Sequence, residues 1–162
     1  MTVFRAIQTA FLFVAVATPA AVAAKTLSST LDARVRVDTS CRLTVEPMTF
    51  GDVNFFSGQV DTTAAIHLRC GPAVVYSVAL DNGQHFNGQR RMWSGGGFLA
   101  YVTYQIYRNA ARTQVWGSAA GNIVSGTTPA TGDVTLTAYG RVPGAIVMPR
   151  AYSDVVTVTV NF

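Results

Sequence analysis

The chain has 162 residues, 49% hydrophobic and 12% charged, with a formal net charge of +4. An average soluble domain carries about 25% charged residues, so this surface is rich in Ser, Thr, Gly and Asn or is covered by a partner. The basic residues stand singly apart from Arg90-Arg91, which excludes a nucleic-acid-binding patch.

Met1 to Arg5 is a short basic start, Ala6 to Ala17 an apolar run, Thr18-Pro19 a break, and Ala20 to Ala24 a stretch of small residues. That order predicts a secretory signal peptide over 1–24, cleaved after Ala23 or Ala24. The apolar run is shorter than the roughly 20 residues a membrane-crossing helix needs. Removing Arg5 with the leader lowers the net charge from +4 to +3. The mature stretch from Lys25 to Phe162 has the length of one domain with one core.

Export puts Cys41 and Cys70 in an oxidising compartment, where a disulfide is the expected state of such a pair. Closing a loop of about 30 residues stabilises a fold by roughly 3.6 kcal/mol in the chain-entropy account. Two unpaired thiols or a metal site are the weaker alternatives, since His67 and His85 do not complete a four-ligand spacing.

Along the exported part the apolar period is two, the period of strands. Leu31, Ala33, Val35 and Val37 alternate with Asp32, Arg34, Arg36 and Asp38. Ala64, Ile66, Leu68 and Cys70 alternate with Ala65, His67 and Arg69, and Tyr76, Val78 and Leu80 continue the pattern after Gly71-Pro72. Val102, Tyr104 and Ile106 come next, then Val134, Leu136 and Ala138. The clearest run is the last, with Val156, Val158, Val160 and Phe162 on one face and Val155, Thr157, Thr159 and Asn161 on the other. Turn clusters separate these runs at 81–83, 87–88, 94–97, 117–121, 126–132 and 143–144. Asn109 to Arg112 has room for one helical turn, and no interval carries a long helical period. The pattern predicts an all-β, immunoglobulin-like sandwich.

Residues suited to chemistry are sparse. The eight acidic residues, Glu46 the single glutamate among them, are spread one by one, and no nucleophile elbow, phosphate loop or dinucleotide fingerprint is present. His67 is expected on the outward face of its strand and His85 in a solvated polar turn. Trp93, Tyr101, Tyr107 and Trp116 could line a carbohydrate cleft, although packing is the commoner role of such aromatics. No enzyme activity and no cofactor are expected.

Two features ask for a function: a strand-like stretch, Ser29 to Asp38, that precedes the first cysteine, and a regular strand that runs to Phe162. A sandwich with one spare strand at its start could lack an internal strand and receive it from a neighbour.

Cys41, Phe50-Gly51, Cys70-Gly71, Tyr76 to Leu80, Arg91-Met92, Tyr101, Tyr104 to Thr113 and Trp116-Gly117 occur here in that order. Together with Tyr139-Gly140-Arg141-Val142, Tyr152-Ser153-Asp154 and Val156 to Phe162, they resemble the spore coat protein U domain family, whose members include Csu-type pilins of the archaic chaperone-usher pathway. The resemblance runs from about Leu31 to Phe162; Arg150 stands where the family often has Gly.

The resemblance implies an incomplete sandwich over 39–162 and a donor extension over 25–38. Leu31, Ala33, Val35 and Val37, with Ser29 as a possible fifth, would insert into the groove of the next subunit. Val156, Val158, Val160 and Phe162 would border the groove, and the Phe162 carboxylate would anchor a chaperone. The partners implied are neighbouring pilus subunits, a periplasmic chaperone and an outer-membrane usher. The chain would cross the periplasm and end at the cell surface, serving adhesion and biofilm formation. The alternative is a secreted coat or matrix protein of the same fold.

Overall fold

The computed structural model describes residues 40–52, 56–146 and 148–162. The signal segment and the alternating run Leu31 to Val37 lie outside the described residues. The strands are β1 (Cys41–Val45), β2 (Phe56–Ser57), β3 (Val60–Cys70), β4 (Val75–Leu80), β5 (Arg90–Trp93), β6 (Tyr101–Tyr107), β7 (Val124–Thr127), β8 (Asp133–Val142), β9 (Ala145–Ile146) and β10 (Val158–Asn161). A single 3-10 turn, Ala120–Asn122, is the only helix among the described residues.

Five strands form one antiparallel sheet in the order β1-β3-β8-β6-β5; three form a second in the order β10-β4-β7; β2 and β9 pair with each other. Alternation along each strand turns one set of side chains to the space between the sheets. Ile66, Leu68, Val102, Tyr104, Ile106, Ala138 and Val142 come from the first sheet, and Tyr76, Val78 and Leu80 from the second. Trp116 closes this core, and its indole N–H donates to the Val78 carbonyl at 3.0 Å.

Gly140 of β8 marks a close approach. A Cβ there would stand 2.5 Å from Met48 Sδ and 2.9 Å from the Phe50 ring, so the segment after β1 can lie across the sheet only because this position is bare. Phe50 in turn meets Tyr104 edge to face at 6.0 Å.

The sequence period anticipates β3, β4, β6 and β8. The run expected over 155–162 is shorter in its ladder, which covers Val158–Asn161. Upstream, Ser153 pairs with Trp93 of β5, while the Val155 and Thr157 carbonyls accept from Gln84 and Asp81 beyond the end of β4. The segment therefore passes from the β5 edge of one sheet to the β4 edge of the other. Gly126 lies within β7 rather than in a turn cluster. Asn109 to Arg112 is not a helical turn but a tight turn closed by Arg112 N–H on the Asn109 carbonyl, with Arg112 at φ 55.

Candidate functional site

The two sheets end, at one side of the sandwich, on β1 and β10. Leu43 and Val45 of β1 sit directly opposite Leu68 and Ile66 of β3, and cross-strand partners share a face. Leu68 and Ile66 are buried core residues, yet Leu43 and Val45 are 37% and 43% exposed. On β10, Val158 and Val160 face Leu80 and Val78, both buried, and are themselves only half-buried, as is Val156. Aliphatic side chains aimed inward thus remain in contact with solvent on both edges.

The backbone repeats this pattern. In an antiparallel pair, residues alternate between those that bond the partner and those whose N–H and C=O point away. Glu46 N–H donates to the Ala65 carbonyl at 2.9 Å, which fixes Thr44 and Arg42 as the bonded residues of β1 and turns the peptide groups of Leu43 and Val45 outward. Asp81 N–H donates to the Thr157 carbonyl at 3.0 Å, so Thr159 and Asn161 bond β4 while Val158 and Val160 present their peptide groups to the free edge. A cavity of about 430 Å³ lies between these edges, with Val45, Ile66, Leu80, Ile106, Ala138 and Val158 among its walls. Uncovered apolar side chains, beside peptide groups that find no partner among the described residues, are what an added extended strand satisfies.

Two elements hold the edges in place. On one side, the disulfide Cys41–Cys70 is formed, and its residues are register partners at the start of the β1–β3 pair, with Cα atoms 4.2 Å apart. On the other, a buried polar cluster clamps the chain just before Val156. Asp154, its side chain 2% exposed, accepts from the N–H groups of Gln84 and His85, from His85 Nδ1 at 3.1 Å and from the Tyr104 hydroxyl at 2.7 Å. Burial first, and then this bond, pushes Tyr104 far above the usual tyrosine pKa, so it remains a donor. Gly83, at φ 80, leaves the room the Asp154 carboxylate occupies.

Arg90 is buried as well and donates to the Asp81 carbonyl and to Gln105 Oε1. Asp81 Oδ1 accepts from Gly83 and Thr157 N–H, both at 2.9 Å. Burial alone would raise Asp81, but these bonds and the Thr157 hydroxyl outweigh it and hold the carboxyl below the usual aspartate range. A depressed folded-state pKa contributes stability that is present above the unfolded value and lost as pH falls through the folded one. Unfolding midpoints in urea should therefore fall as the pH drops below about 4, and the fall should be smaller in Asp81→Asn.

Asp154→Ala leaves two amides and the Tyr104 hydroxyl without their acceptor. The expected cost is about 3 kcal/mol in urea unfolding. Asp154→Asn, which keeps one acceptor oxygen, should lose less than half of that.

Val156 and Val158 line the cavity and Val160 follows on the same face of β10, while Phe162 lies beyond β10 and is exposed. Ser29, Leu31, Ala33, Val35 and Val37 fall outside the described residues. His67 lies on the outward face, where Glu46 and Thr135 are its neighbours at 3.6 and 3.2 Å. The expectation for His85 is corrected: it is not a solvated turn residue but lies mostly covered between Asp154 and Trp93, because the carboxylate that captures it stands 69 positions away in sequence. The four aromatics suggested for a cleft do not converge, since Trp116 is core while Trp93 and Tyr101 stand on the outer face of β5 and β6. Leu43, Val45, Asp154 and Arg90 were not anticipated. The alternation of Cys41, Leu43 and Val45 was a usable signal; nothing local marks Asp154 or Arg90 as buried.

These features define an immunoglobulin-like β-sandwich with an open, aliphatic groove between its edge strands. The model of the Spore Coat Protein U domain matches residues 27–159, and the chain belongs to that family. Among solved structures it is similar to the chaperone-tip adhesion subunit pre-assembly complex, CsuC-CsuE, from archaic chaperone-usher Csu pili of Acinetobacter baumannii. The TM-score is 0.57 at 26% identity, over 78% of this chain and 40% of that chain, so the present chain spans less than half of its solved relative. A search of curated proteins gave no match.

Proposed function

We propose that this chain is a structural subunit of a surface pilus assembled by a chaperone-usher pathway, in which the extension 25–38 of one subunit enters the groove of the next. The groove itself carries the reading: both rims offer inward aliphatic side chains, and peptide groups that are unpaired among the described residues, to one further strand. The alternating run Leu31, Ala33, Val35 and Val37 has the period required to fill it from one face. Burial of three aliphatic side chains and an alanine gives roughly 5 to 10 kcal/mol per joint before ordering costs.

Such a contact joins unlike surfaces and does not close on itself, so it propagates as a fibre. An unfilled groove is an aggregation hazard, which is why a periplasmic chaperone would hold the subunit before an outer-membrane usher receives it. The pilin similarity supports this partner set, delivery through the periplasm to the cell surface, and a role in adhesion and biofilm formation. The role is structural, not enzymatic.

The test is competition. Mature chain beginning at Lys25 should form SDS-resistant multimers, and excess synthetic peptide spanning Ser28 to Asp38 should shorten them to capped single subunits, while a scrambled peptide leaves the distribution unchanged. Multimers indifferent to the native peptide would refute exchange through this segment.

A further inference from the structure

A second surface lies on the outer face of β5 and β6, with β5 at the opposite edge of the five-stranded sheet from β1. Four strand spacings separate those edges, roughly 19 Å. Arg90 and Met92 of β5, like Val102 and Tyr104 of β6, turn inward. Alternation then leaves Arg91, Trp93 and Tyr101 on the outside. Trp93 and Tyr101 are register partners, 39% and 45% exposed.

This face is fixed before any ligand arrives. The Arg91 guanidinium lies 4.2 Å from the centre of the Tyr101 ring, and its Nε donates to the His85 carbonyl at 2.9 Å. The His85 ring is 5.3 Å from Trp93, with Nδ1 directed to Asp154. The terminal nitrogens of Arg91 and His85 Nε2 have no carboxylate partner among the described residues. The neighbouring carboxylates are withdrawn: Asp154 is buried with both oxygens engaged, and Asp81 accepts from Gly83 and Thr157.

We infer that this face is a binding site for an acidic polysaccharide, with Trp93 and Tyr101 stacking on the C–H face of a uronate ring and Arg91, flanked by His85, receiving its carboxylate. Charge complementarity on an aromatic platform carries this assignment. Aromatic rings offer rigid apolar area at small entropic cost, and an arginine already stacked loses little freedom on pairing. One arginine and one histidine are too few for the alternatives, because an anionic bilayer calls for a cluster of about 4–8 basic residues and a nucleic-acid backbone for a comparable basic stripe. The site would bind in this way whether or not the groove is a strand acceptor.

The experiment uses the purified exported chain and four probes: polygalacturonate, its fully methyl-esterified form, dextran sulfate, and phosphatidylglycerol vesicles. Binding is followed by affinity electrophoresis for the polysaccharides, by sedimentation for the vesicles, and by Trp fluorescence, where Trp93 is the exposed indole and Trp116 the buried one. Polygalacturonate should bind and shield Trp93 from acrylamide quenching. Trp93→Ala or Tyr101→Ala should weaken binding about tenfold, measured well below the unfolding midpoint of each variant. Arg91→Gln should bring the acidic and esterified polymers to equal affinity. The fluorescence result on the unaltered chain stands even if a variant fails to fold. The inference is overturned if polygalacturonate does not bind, if it binds without shielding Trp93, or if dextran sulfate or the vesicles bind equally well and Trp93→Ala leaves that binding unmoved.

Discussion

Val158→Asp should abolish assembly while leaving the subunit folded. Val158 lies on the groove rim with its side chain turned toward Leu80 and its peptide groups toward the free edge. In the unassembled subunit the side chain is only half-buried, so a carboxylate there keeps access to water and the fold tolerates it. Once a donor strand covers the rim, the same carboxylate is buried without a partner, and an unpaired buried charge costs about 3 kcal/mol or more. Because 1.4 kcal/mol is a factor of ten, each joint should weaken by at least about a hundredfold. Val45→Asp, on the facing rim, should act in the same way. Thr159→Asp is the control, since Thr159 points outward from the same strand and should assemble normally. SDS-resistant multimers of the three variants, compared at equal concentration, give the answer; assembly by Val158→Asp at the normal level would contradict the account.

Replacing both cysteines, Cys41→Ser with Cys70→Ser, should produce a large loss of stability. The bond closes a loop of 29 residues separation, for which the chain-entropy account gives roughly 3.6 kcal/mol. For a domain of this size that corresponds to a fall of roughly 10 to 15 °C in Tm. The loss should be felt locally as well. Among the described residues β1 has a strand neighbour on one side only, and its five residues carry one rim of the groove. Freed from the disulfide, β1 should fray first, so the double variant should bind the Ser28 to Asp38 peptide more weakly than its loss of Tm alone explains. Differential scanning calorimetry and peptide titration separate the two effects. A double variant with unchanged Tm and unchanged peptide affinity would remove the disulfide from the account.

The sequence disclosed the architecture where strands are long and one face is buried. β3 and β8 alternate for ten residues or so and pair along nearly their whole length, so period two dominates their composition. It disclosed the alternation of β10, because Val156, Val158 and Val160 alternate cleanly with Thr157 and Thr159. It was silent on β5, whose four residues Arg90 to Trp93 place an arginine in the interior against every expectation from hydropathy. That burial is tolerated only because the Asp81 carbonyl and Gln105 receive the guanidinium, and both are brought there by the fold. The Asp154 clamp was hidden for the same reason: its donors come from residues 84, 85 and 104, and no spacing in the chain announces that they meet. Short edges and long-range polar clusters are decided by tertiary contact, which local pattern does not record.

The most direct measurement is amide hydrogen exchange by NMR on a chain beginning at Asp38, with and without the Ser28 to Asp38 peptide. Without peptide, the Val158 and Val160 amides should exchange rapidly and the Thr159 and Asn161 amides slowly, since only the latter bond β4. With peptide, the Val158 and Val160 amides should become slow, because a donor strand accepts from them. If their exchange is unchanged at saturating peptide, or if the peptide protects a different edge, strand donation along β10 is not how this subunit is joined to its neighbours.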